Sequence, residues 1–256
     1  MLRLRILGSG TSTGVPLIGC TCSVCTSSEK RNKRLRSSAI IETGLENILI
    51  DTSPDLRTQA LSNNIIKVSA VLFTHAHADH VHGIDDLRVF NMIQGTPIPC
   101  YGDVRTITKI REVFGYIFNK VEGGGWKPEL TTTITESEKA FELFKLQITP
   151  IDLVHGREII TGFRVNNLAY VTDCSELPDA SREALKGIKV LILGALRERP
   201  HPSHFSIGEA IQVAKDLGVE RVILTHLGHK VDYGWQKSKL PKGVEFAYDG
   251  MAIDFE

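Results

Sequence analysis

The segment His75-Ala-His-Ala-Asp-His80 constrains this chain more than any other feature, because four of its six side chains are metal-ligand types. It follows directly on a short apolar run that is typical of a buried strand. Alternate side chains of an extended segment project to the same side, so His75 and His77 can bind one ion. The turn that follows can direct Asp79 and His80 toward a second ion. A solvated or helix-capping loop is the alternative interpretation, and the density of ligand types disfavours it.

Three further ligand-type residues, His155, Asp173 and His226, each end a strand-like run elsewhere in the chain. Polar side chains usually scatter over strand faces and loops, so this recurrence predicts that the ligands converge on one rim of the sheets. Imidazole and carboxylate suit zinc, iron and manganese, and the three residues would complete both metal shells. Asp173 is the natural bridge between the two ions.

A centre with two divalent ions, zinc or manganese, indicates a hydrolase. A bound metal lowers the pKa of water from about 15.7 to about 7, so metal-bound hydroxide becomes available as a nucleophile at neutral pH. Two dications with two carboxylates and a hydroxide leave a cationic centre, which favours an anionic phosphodiester over a neutral amide substrate. Asp79 is expected to belong to the catalytic set as well as to the metal shell.

The rest of the chain predicts two packed sheets flanked by helices, in one domain over residues 1–256. With 42% apolar residues in 256, the chain can bury a large core. Segment 119–135 contains three consecutive glycines and is expected to be an irregular excursion that could form a lid. Strand-like runs occur at 3–7, 38–42, 47–51, 70–74, 146–150, 161–165, 168–172, 190–193, 221–225 and 244–247, and helical patterns at 56–63, 84–92, 106–114, 176–185 and 207–217.

A second metal site is expected in the loop at residues 19–29, where Cys20, Cys22 and Cys25 lie within six residues. Three thiolates can bind one tetrahedral zinc if a fourth ligand comes from elsewhere. We choose His229, because a glycine-containing loop separates it from His226 and could turn it away from the catalytic pair. Three reduced, unligated cysteines are the alternative. Cys100 and Cys174 have no partner in spacing and are expected to be core residues.

The histidine cluster, followed by single His, Asp and His ligands at later strand ends, resembles the signature of the metallo-β-lactamase superfamily. The resemblance covers nearly the whole chain and implies a four-layer αββα sandwich, an α/β (α+β) fold. Asp79 and Asp173 match positions that distinguish the phosphodiesterase and nuclease branches from true β-lactamases, whose second site commonly uses a cysteine. Penicillin hydrolysis is therefore not expected.

Further motifs resemble the phosphoribosyl cyclic phosphodiesterases of phosphonate breakdown. These motifs are the opening Ile6-Leu-Gly-Ser-Gly-Thr-Ser-Thr-Gly-Val-Pro16, the Cys-x-Cys-x-x-Cys cluster, His80-Val-His-Gly83 and the late Tyr248-Asp-Gly-Met251. The resemblance implies a binuclear centre plus one structural zinc, held here by Cys20, Cys22, Cys25 and His229. The implied substrate is a small cyclic phosphate such as a phosphoribosyl 1,2-cyclic phosphate.

His204 is the candidate acid or oxyanion stabiliser. It precedes the predicted helix at 207–217 and so could lie near a helix N-terminus. The resemblance places it where these phosphodiesterases and the related transfer-RNA 3′-processing nucleases carry a histidine that contacts the scissile phosphate or protonates the leaving group. His201 and His82 are expected to be surface or supporting residues.

Charge and hydropathy disfavour DNA, RNA and membrane partners. The expected partner is therefore the small-molecule phosphodiester substrate alone. Thirty basic residues balance thirty acidic ones and the pI is near 7.1, so no long-range field attracts DNA, RNA or a membrane surface. No apolar stretch approaches the length of about 20 residues that a membrane span needs, and no signal-peptide h-region is present, so a cytoplasmic location is expected. The sequence leaves open whether the protein forms a homodimer.

Two other functions stay open. A transfer-RNA 3′-processing endonuclease would share the metal ligands and His204, but an RNA-gripping arm is not evident unless residues 120–127 serve. A non-catalytic accessory protein resembling that of pyrroloquinoline quinone biosynthesis would share the fold and the cysteine site, although the complete set of seven ligands disfavours it.

Two further local patterns are weaker indications of function than the metal-ligand motifs. Gly10-Thr-Ser-Thr-Gly14 fits a nucleophile elbow, but no helix is expected directly after it, and we interpret it as a tight loop. Five basic residues between positions 30 and 36 favour a solvated surface segment over a phosphate or RNA site.

Overall fold

Many strands of this protein are apolar on both faces, which requires that both faces of each sheet be covered. In Asn47–Ile50, for example, Ile48 and Ile50 pack toward the opposing sheet while Leu49 packs under the outer helices. The computed structural model, which describes residues 2–119, 126–234 and 238–256, accordingly has helix, sheet, sheet and helix layers. The expected αββα sandwich is confirmed.

Two sheets carry the same pattern of strand directions. The strands in chain order are β1 (Leu2–Gly8), β2 (Ser38–Glu42), β3 (Asn47–Ile50), β4 (Ala70–Leu72), β5 (Ile98–Gly102), β6 (Leu130–Ile134), β7 (Phe141–Leu143), β8 (Leu146–His155), β9 (Glu158–Val165), β10 (Leu168–Val171), β11 (Val190–Gly194), β12 (Arg221–Thr225), β13 (Val244–Phe246) and β14 (Ala252–Phe255). The sheet orders are β14-β1-β2-β3-β4-β5-β6 and β13-β12-β11-β10-β9-β8-β7. In each sheet one half is antiparallel, and the other half, β3–β6 or β10–β13, is parallel. The parallel strands of each sheet end at a common edge.

Helices cover the outer face of each sheet. The described helices are α1 (Ser23–Thr26), α2 (Leu56–Ser62), α3 (Ala78–Val81), α4 (Leu87–Gln94), α5 (Val104–Val113), α6 (Gly115–Phe118), α7 (Asp179–Ala184) and α8 (Ile207–Asp216), with 3₁₀ turns at Lys30–Asn32 and Ile84–Asp86. Phe90 of α4 packs on the first sheet, and Ala214 of α8 packs on the second. No helix in the described ranges is both long and apolar enough to cross a membrane.

The sequence patterns missed four strands, namely β5, β6, β7 and β14. Part of the segment 119–135 is one of them, so the prediction that the whole segment is irregular is wrong. Strand β6 lies at the edge of its sheet and has the sequence Leu-Thr-Thr-Thr-Ile, which gives β-branched residues but no apolar alternation. Residues 120–125, where the glycines of the expected lid fall, lie outside the described residues.

The basic run at 30–36 is only in part the solvated surface segment that the sequence favoured, since Lys30 and Lys33 are exposed but Arg34 is buried. Arg34 is only 2% exposed, and its guanidinium donates hydrogen bonds to the carbonyl oxygens of Val231 at 2.7 Å and Gly228 at 3.3 Å. Burial lowers the pKa of Arg34 to about 10. Arg36 pairs with Asp55 at 2.9 Å. Arg34 therefore fastens this segment to the turn after β12.

Candidate metal centre

Three histidines form the first group of ligand atoms. Strand β4 leads through an extended segment to His75 and His77, and His155 is the last residue of β8. Their ligand nitrogens lie within 4.8 Å of one another. The ring of His155 has its Nδ1 2.9 Å from the carbonyl oxygen of Ser203, which fixes that nitrogen as a donor and leaves Nε2 for a metal.

Two carboxylates and two histidines form the second group, and their ligand atoms also lie within 4.8 Å of one another. Asp173 occupies the middle of the cluster, with Oδ2 3.2 Å from His80 Nε2 and Oδ1 2.8 Å from His226 Nδ1. Its Oδ2 also lies 3.9 Å from His75 Nε2, a residue of the first group. Asp79 completes the set, 3.2 Å from His80 Nε2. Asp173 thus stands between the groups, where a bridging ligand would be.

Backbone geometry at the strand ends turns several of these side chains inward. His226 follows β12 directly and Asp173 lies two residues after β10, and their φ angles are 57° and 56°. Asp51, which follows β3, has a φ of 61°. A non-glycine residue in this left-handed region costs roughly 1 kcal/mol or more, and such strain concentrates at functional sites.

Asp51 is a site residue that the sequence reasoning missed. Its carboxylate accepts hydrogen bonds from the Thr74 amide at 2.8 Å and the Thr74 hydroxyl at 2.7 Å. It also lies 2.7 Å from His80 Nδ1, so it holds the His80 ring with Nε2 toward the cluster. The sequence offers a signal for it, because Asp51 ends an apolar strand-like run as other candidate ligands do.

The electrostatics of the cluster fit divalent cations. Burial, followed by the nearby His80, holds the pKa of His75 well below its ordinary value. Burial alone would lower the pKa of His80, but three carboxylates outweigh it and hold that pKa well above its usual range. Burial opposes ionisation of Asp173, yet the facing imidazoles of His226 and His80 hold its pKa well below normal. Buried ionised carboxylates that keep the neighbouring His80 protonated create a negative environment, and divalent cations are attracted to the same environment.

Two buried polar atoms in the centre have no hydrogen-bond partner among the described residues: Nε2 of His75 and Oδ2 of Asp79. The Asp79 oxygen lies within ion-pair distance of His80 but lacks hydrogen-bond geometry. Buried polar groups are rarely left unsatisfied, and one orphaned atom in each group fits one ion in each. The residues present therefore suit a binuclear metal centre.

The cysteine cluster forms a separate tetrahedral donor set. The Sγ atoms of Cys20, Cys22 and Cys25 lie 3.4, 3.6 and 3.7 Å from His229 Nδ1. With Zn–S of about 2.3 Å and Zn–N of about 2.0 Å, a tetrahedral zinc places sulfur and nitrogen about 3.5 Å apart. A backbone hydrogen bond, with help from His229 and the other thiols, lowers the pKa of Cys22 to about 6 despite desolvation. The geometry fits one zinc held by three cysteines and His229.

A family model for the beta-lactamase superfamily domain matches residues 46–227, a span that contains all seven side chains of the two His/Asp groups. The chain belongs to the metallo-β-lactamase superfamily. It therefore has a metallo-hydrolase fold, and it carries two His/Asp groups that could hold metal ions.

Within the superfamily, the protein is similar to a diphosphatase from the PhnP family, with 38% identity, a TM-score of 0.92, and coverage of 99% of this chain and 97% of that one. The zinc-bound PqqB protein of Methylobacterium extorquens shares the fold alone, with 19% identity, a TM-score of 0.79, and coverage of 99% and 100%. An octanoyltransferase of Porphyromonas gingivalis W83 is 37% identical over 253 residues, which are 98% of this chain and 51% of that protein. The chain spans about half the length of this relative, so octanoyl transfer is not carried over to it.

His204 lies beside both groups of ligand atoms. Its ring centroid is 4.8 Å from that of His155 and 5.0 Å from that of His226, with which it stacks at an interplanar angle of 16°. The loop that carries it ends at Ser206, whose hydroxyl and amide form a capping box with Glu209 at the start of α8. Burial and the neighbouring imidazoles lower the pKa of His204 to about 3.

The glycine loop before β2 supports the centre and is not a nucleophile elbow. The hydroxyl of Thr11 lies 3.1 Å from His226 Nε2, and that of Ser37 lies 3.0 Å from His226 Nδ1. Ser12 is exposed, and the next described helix, α1, begins only at Ser23. Thr11 and Ser37 were not singled out by the sequence, because their proximity to His226 depends on long-range packing.

Proposed function

We propose that the protein is a metal-dependent phosphodiesterase that hydrolyses a small phosphodiester, with a ribose cyclic phosphate as the favoured substrate. The observation that carries this proposal is the pair of adjacent donor groups, His75, His77 and His155 beside Asp79, His80, Asp173 and His226, with Asp173 between them. The motifs of the opening loop and the cysteine cluster add support, since they resemble those of the cyclic phosphodiesterases.

Each donor group would hold one divalent ion, zinc or manganese, and the cysteine site would hold a structural zinc. When bound, the two ions at the centre supply an activated water and neutralise the charge of the phosphate. The chain's own residues then set the orientation of the metal-binding histidines. Asp51 keeps the His80 ring in one tautomer, and the Ser203 carbonyl does the same for His155.

In the hydrolysis, water adds to phosphorus, one P–O ester bond breaks, and the leaving oxygen ends with a proton. His204 is the side chain we assign to the phosphoryl or leaving oxygen, because its ring stands beside His155 and His226 of the two donor groups. Its N–H would donate a hydrogen bond to the oxygen on which negative charge develops. Asp79 would take part as one of the four residues that hold the second ion.

Hydrolysis of a diphosphate is a second candidate, and the likeness to a PhnP-family diphosphatase favours it. A phosphoanhydride presents the same anionic phosphorus centre, so the donor groups and His204 would have the same roles. The two candidates differ in the leaving group, a sugar hydroxyl in one and a phosphate in the other.

The deciding experiment compares substrates on metal-loaded protein. Ribose 1,2-cyclic phosphate, a nucleoside diphosphate, bis(4-nitrophenyl) phosphate and a precursor transfer RNA are offered at equal concentrations, with Asp173→Asn as the inactive control. We expect the highest kcat/KM on the cyclic phosphate and loss of at least about a hundredfold in the control. Preferred cleavage of the diphosphate would select the second candidate. Cleavage of the transfer RNA alone would point to a processing nuclease, and no turnover of any substrate would support a non-catalytic accessory protein.

A further inference from the structure

Both ring nitrogens of His226 face a hydroxyl group. Ser37 Oγ lies 3.0 Å from Nδ1, and Thr11 Oγ1 lies 3.1 Å from Nε2. Ser37 and His226 are buried, while Thr11 is partly exposed. The imidazole that would hold the second ion is therefore contacted from two sides by side chains that lie outside the donor groups.

The hydroxyl of Ser37 can only accept a hydrogen bond from His226, because its single proton is already used. It donates that proton to the carbonyl oxygen of Gly10 at 3.0 Å, and a carbonyl cannot donate in return. The proton between Ser37 and His226 is therefore carried by Nδ1. In a neutral imidazole the other nitrogen, Nε2, is then unprotonated and accepts the O–H of Thr11. Nε2 is thus the nitrogen that can bind a cation.

Asp173 also favours a proton on Nδ1 of this histidine, since its Oδ1 lies 2.8 Å from that nitrogen. It does not make Ser37 redundant, because Asp173 belongs to the donor group and a bound cation would share its carboxylate. The same Oδ1 already accepts the hydroxyl proton of Thr172 at 2.5 Å. Ser37 is thus an acceptor of the Nδ1 proton for which a cation does not compete.

The opening glycine loop brings the two hydroxyls to the histidine. The Gly10 amide donates to the Leu35 carbonyl at 2.8 Å, and a Cβ on Gly10 would lie only 2.9 Å from that oxygen, so this close approach requires glycine. The amide of Leu227, the residue after the histidine, donates to the Ser9 carbonyl at 2.8 Å. The carboxylate of Asp249 accepts from the Ser9 amide at 2.8 Å and the Leu35 amide at 2.7 Å. The opening motif and the late motif of the sequence therefore both help to hold this ligand.

We propose that Ser37 is a positioning residue for the second donor group. Its hydroxyl keeps the proton of His226 on Nδ1 and so presents Nε2 to a cation, while Thr11 occupies Nε2 until the cation takes its place. The two hydroxyls thus act on metal binding in opposite directions. Partners of this kind to a metal-binding histidine typically change metal affinity about tenfold to a hundredfold. This inference rests on the binuclear centre of the proposed function and on no particular substrate.

The test titrates the full chain, with zinc kept at the cysteines, with Mn²⁺, which carboxylates and imidazoles suit better than thiolates do. The electron paramagnetic resonance of free Mn²⁺ gives the dissociation constant of each ion at the centre. Ser37→Ala should weaken the binding of one ion about tenfold or more, because His226 loses the acceptor that fixes its ring. Thr11→Val should leave that constant unchanged or tighten binding up to about fivefold, because a competing hydrogen bond is removed.

Ser181→Ala is the matched control, because Ser181 is equally buried and its hydroxyl donates to the Asp152 carbonyl, outside the donor groups. It should leave both constants within about twofold. Binding weakened as much by Ser181→Ala as by Ser37→Ala, or weakened about tenfold by Thr11→Val, overturns the inference.

Nitrogen-15 NMR of the unmodified chain, before Mn²⁺ is added, gives the tautomer of His226 without any variant. We expect its proton on Nδ1, and a proton on Nε2 rejects the role of Ser37. None of these measurements uses a substrate. The inference can therefore fail while phosphodiester hydrolysis stands, and absence of turnover on every substrate would leave it standing.

Discussion

At the scale of single residues, the centre depends on which nitrogen of each histidine faces inward. His80 Nδ1 lies 2.7 Å from the carboxylate oxygen Oδ2 of Asp51, and His155 Nδ1 lies 2.9 Å from the carbonyl oxygen of Ser203. Their Nε2 atoms are thereby directed at the donor groups. His77 is different, since it is half exposed and its Nε2 lies 3.4 Å from Glu158 at the outer side of the group, with the rings of His75 and His155 beside it. We infer that the first group is fixed by His75 and His155, with His77 free to adjust.

His204→Ala should keep both metals at the centre and lose turnover. The side chain is not a member of either donor group, so removing it leaves the ligands in place. Loss of a donor to the developing charge typically costs about a hundredfold to a thousandfold in kcat. Steady-state kinetics and elemental analysis of the same samples check both halves of the expectation.

His201→Ala is the control, because its ring lies 5.1 Å from that of His204 but does not face the donor groups in the described contacts. It should stay within about threefold of the unmodified enzyme. Full activity in His204→Ala would remove His204 from the mechanism.

At the scale of elements, the strands that carry ligands were the easiest to predict. Strands β4, β10 and β12 are buried on both faces and so appear as continuous apolar runs, which end where the chain reaches the rim. Strand β6 was missed because it is polar and partly exposed. The burial of Arg34 could not be read locally, since it depends on a partner far away in sequence.

The cysteine loop is an element whose stability should depend on its metal. Val15, Val24 and Cys25 form a small apolar cluster of their own, so the loop buries little apolar surface. Cys22→Ser should lose one metal ion per chain and lower the Tm by roughly 10 °C, because structural zinc sites contribute several kcal/mol to folding. Differential scanning calorimetry and metal analysis measure both effects.

Cys100→Ser is the matched control for this substitution. Cys100 is buried in the core of the first sheet and belongs to no donor group in the described residues, so all ions should remain. A Tm for Cys22→Ser equal to that of the unmodified protein, in a protein that binds only two ions, would contradict a structural zinc.

At the scale of the whole molecule, the two metal sites are joined through one turn. His226 belongs to the second donor group and His229 to the cysteine group, and only two residues separate them. Arg34 fastens this turn from the other side through the carbonyls of Gly228 and Val231. The position of His226 is thus tied to the packing of the cysteine loop.

The purified protein should contain three metal ions per chain. Two would occupy the His/Asp groups and one the cysteine site, in keeping with the three donor sets of the described residues. Inductively coupled plasma analysis gives the count, and Asp173→Asn should lower it at the centre without changing zinc at the cysteines. A count of one ion, unchanged in Asp173→Asn, would indicate a degenerate centre and an accessory role.

The pairing of β1 with β14 has a consequence for how this fold can be rearranged. Leu2 is the antiparallel partner of Phe255, so the two ends of the chain lie side by side at one edge of the first sheet. Because β1 runs in the same direction as β3, its first residue lies at the end of the sheet away from Asp51 and the ligands. A module joined next to Leu2 or Phe255 would therefore lie away from the donor groups.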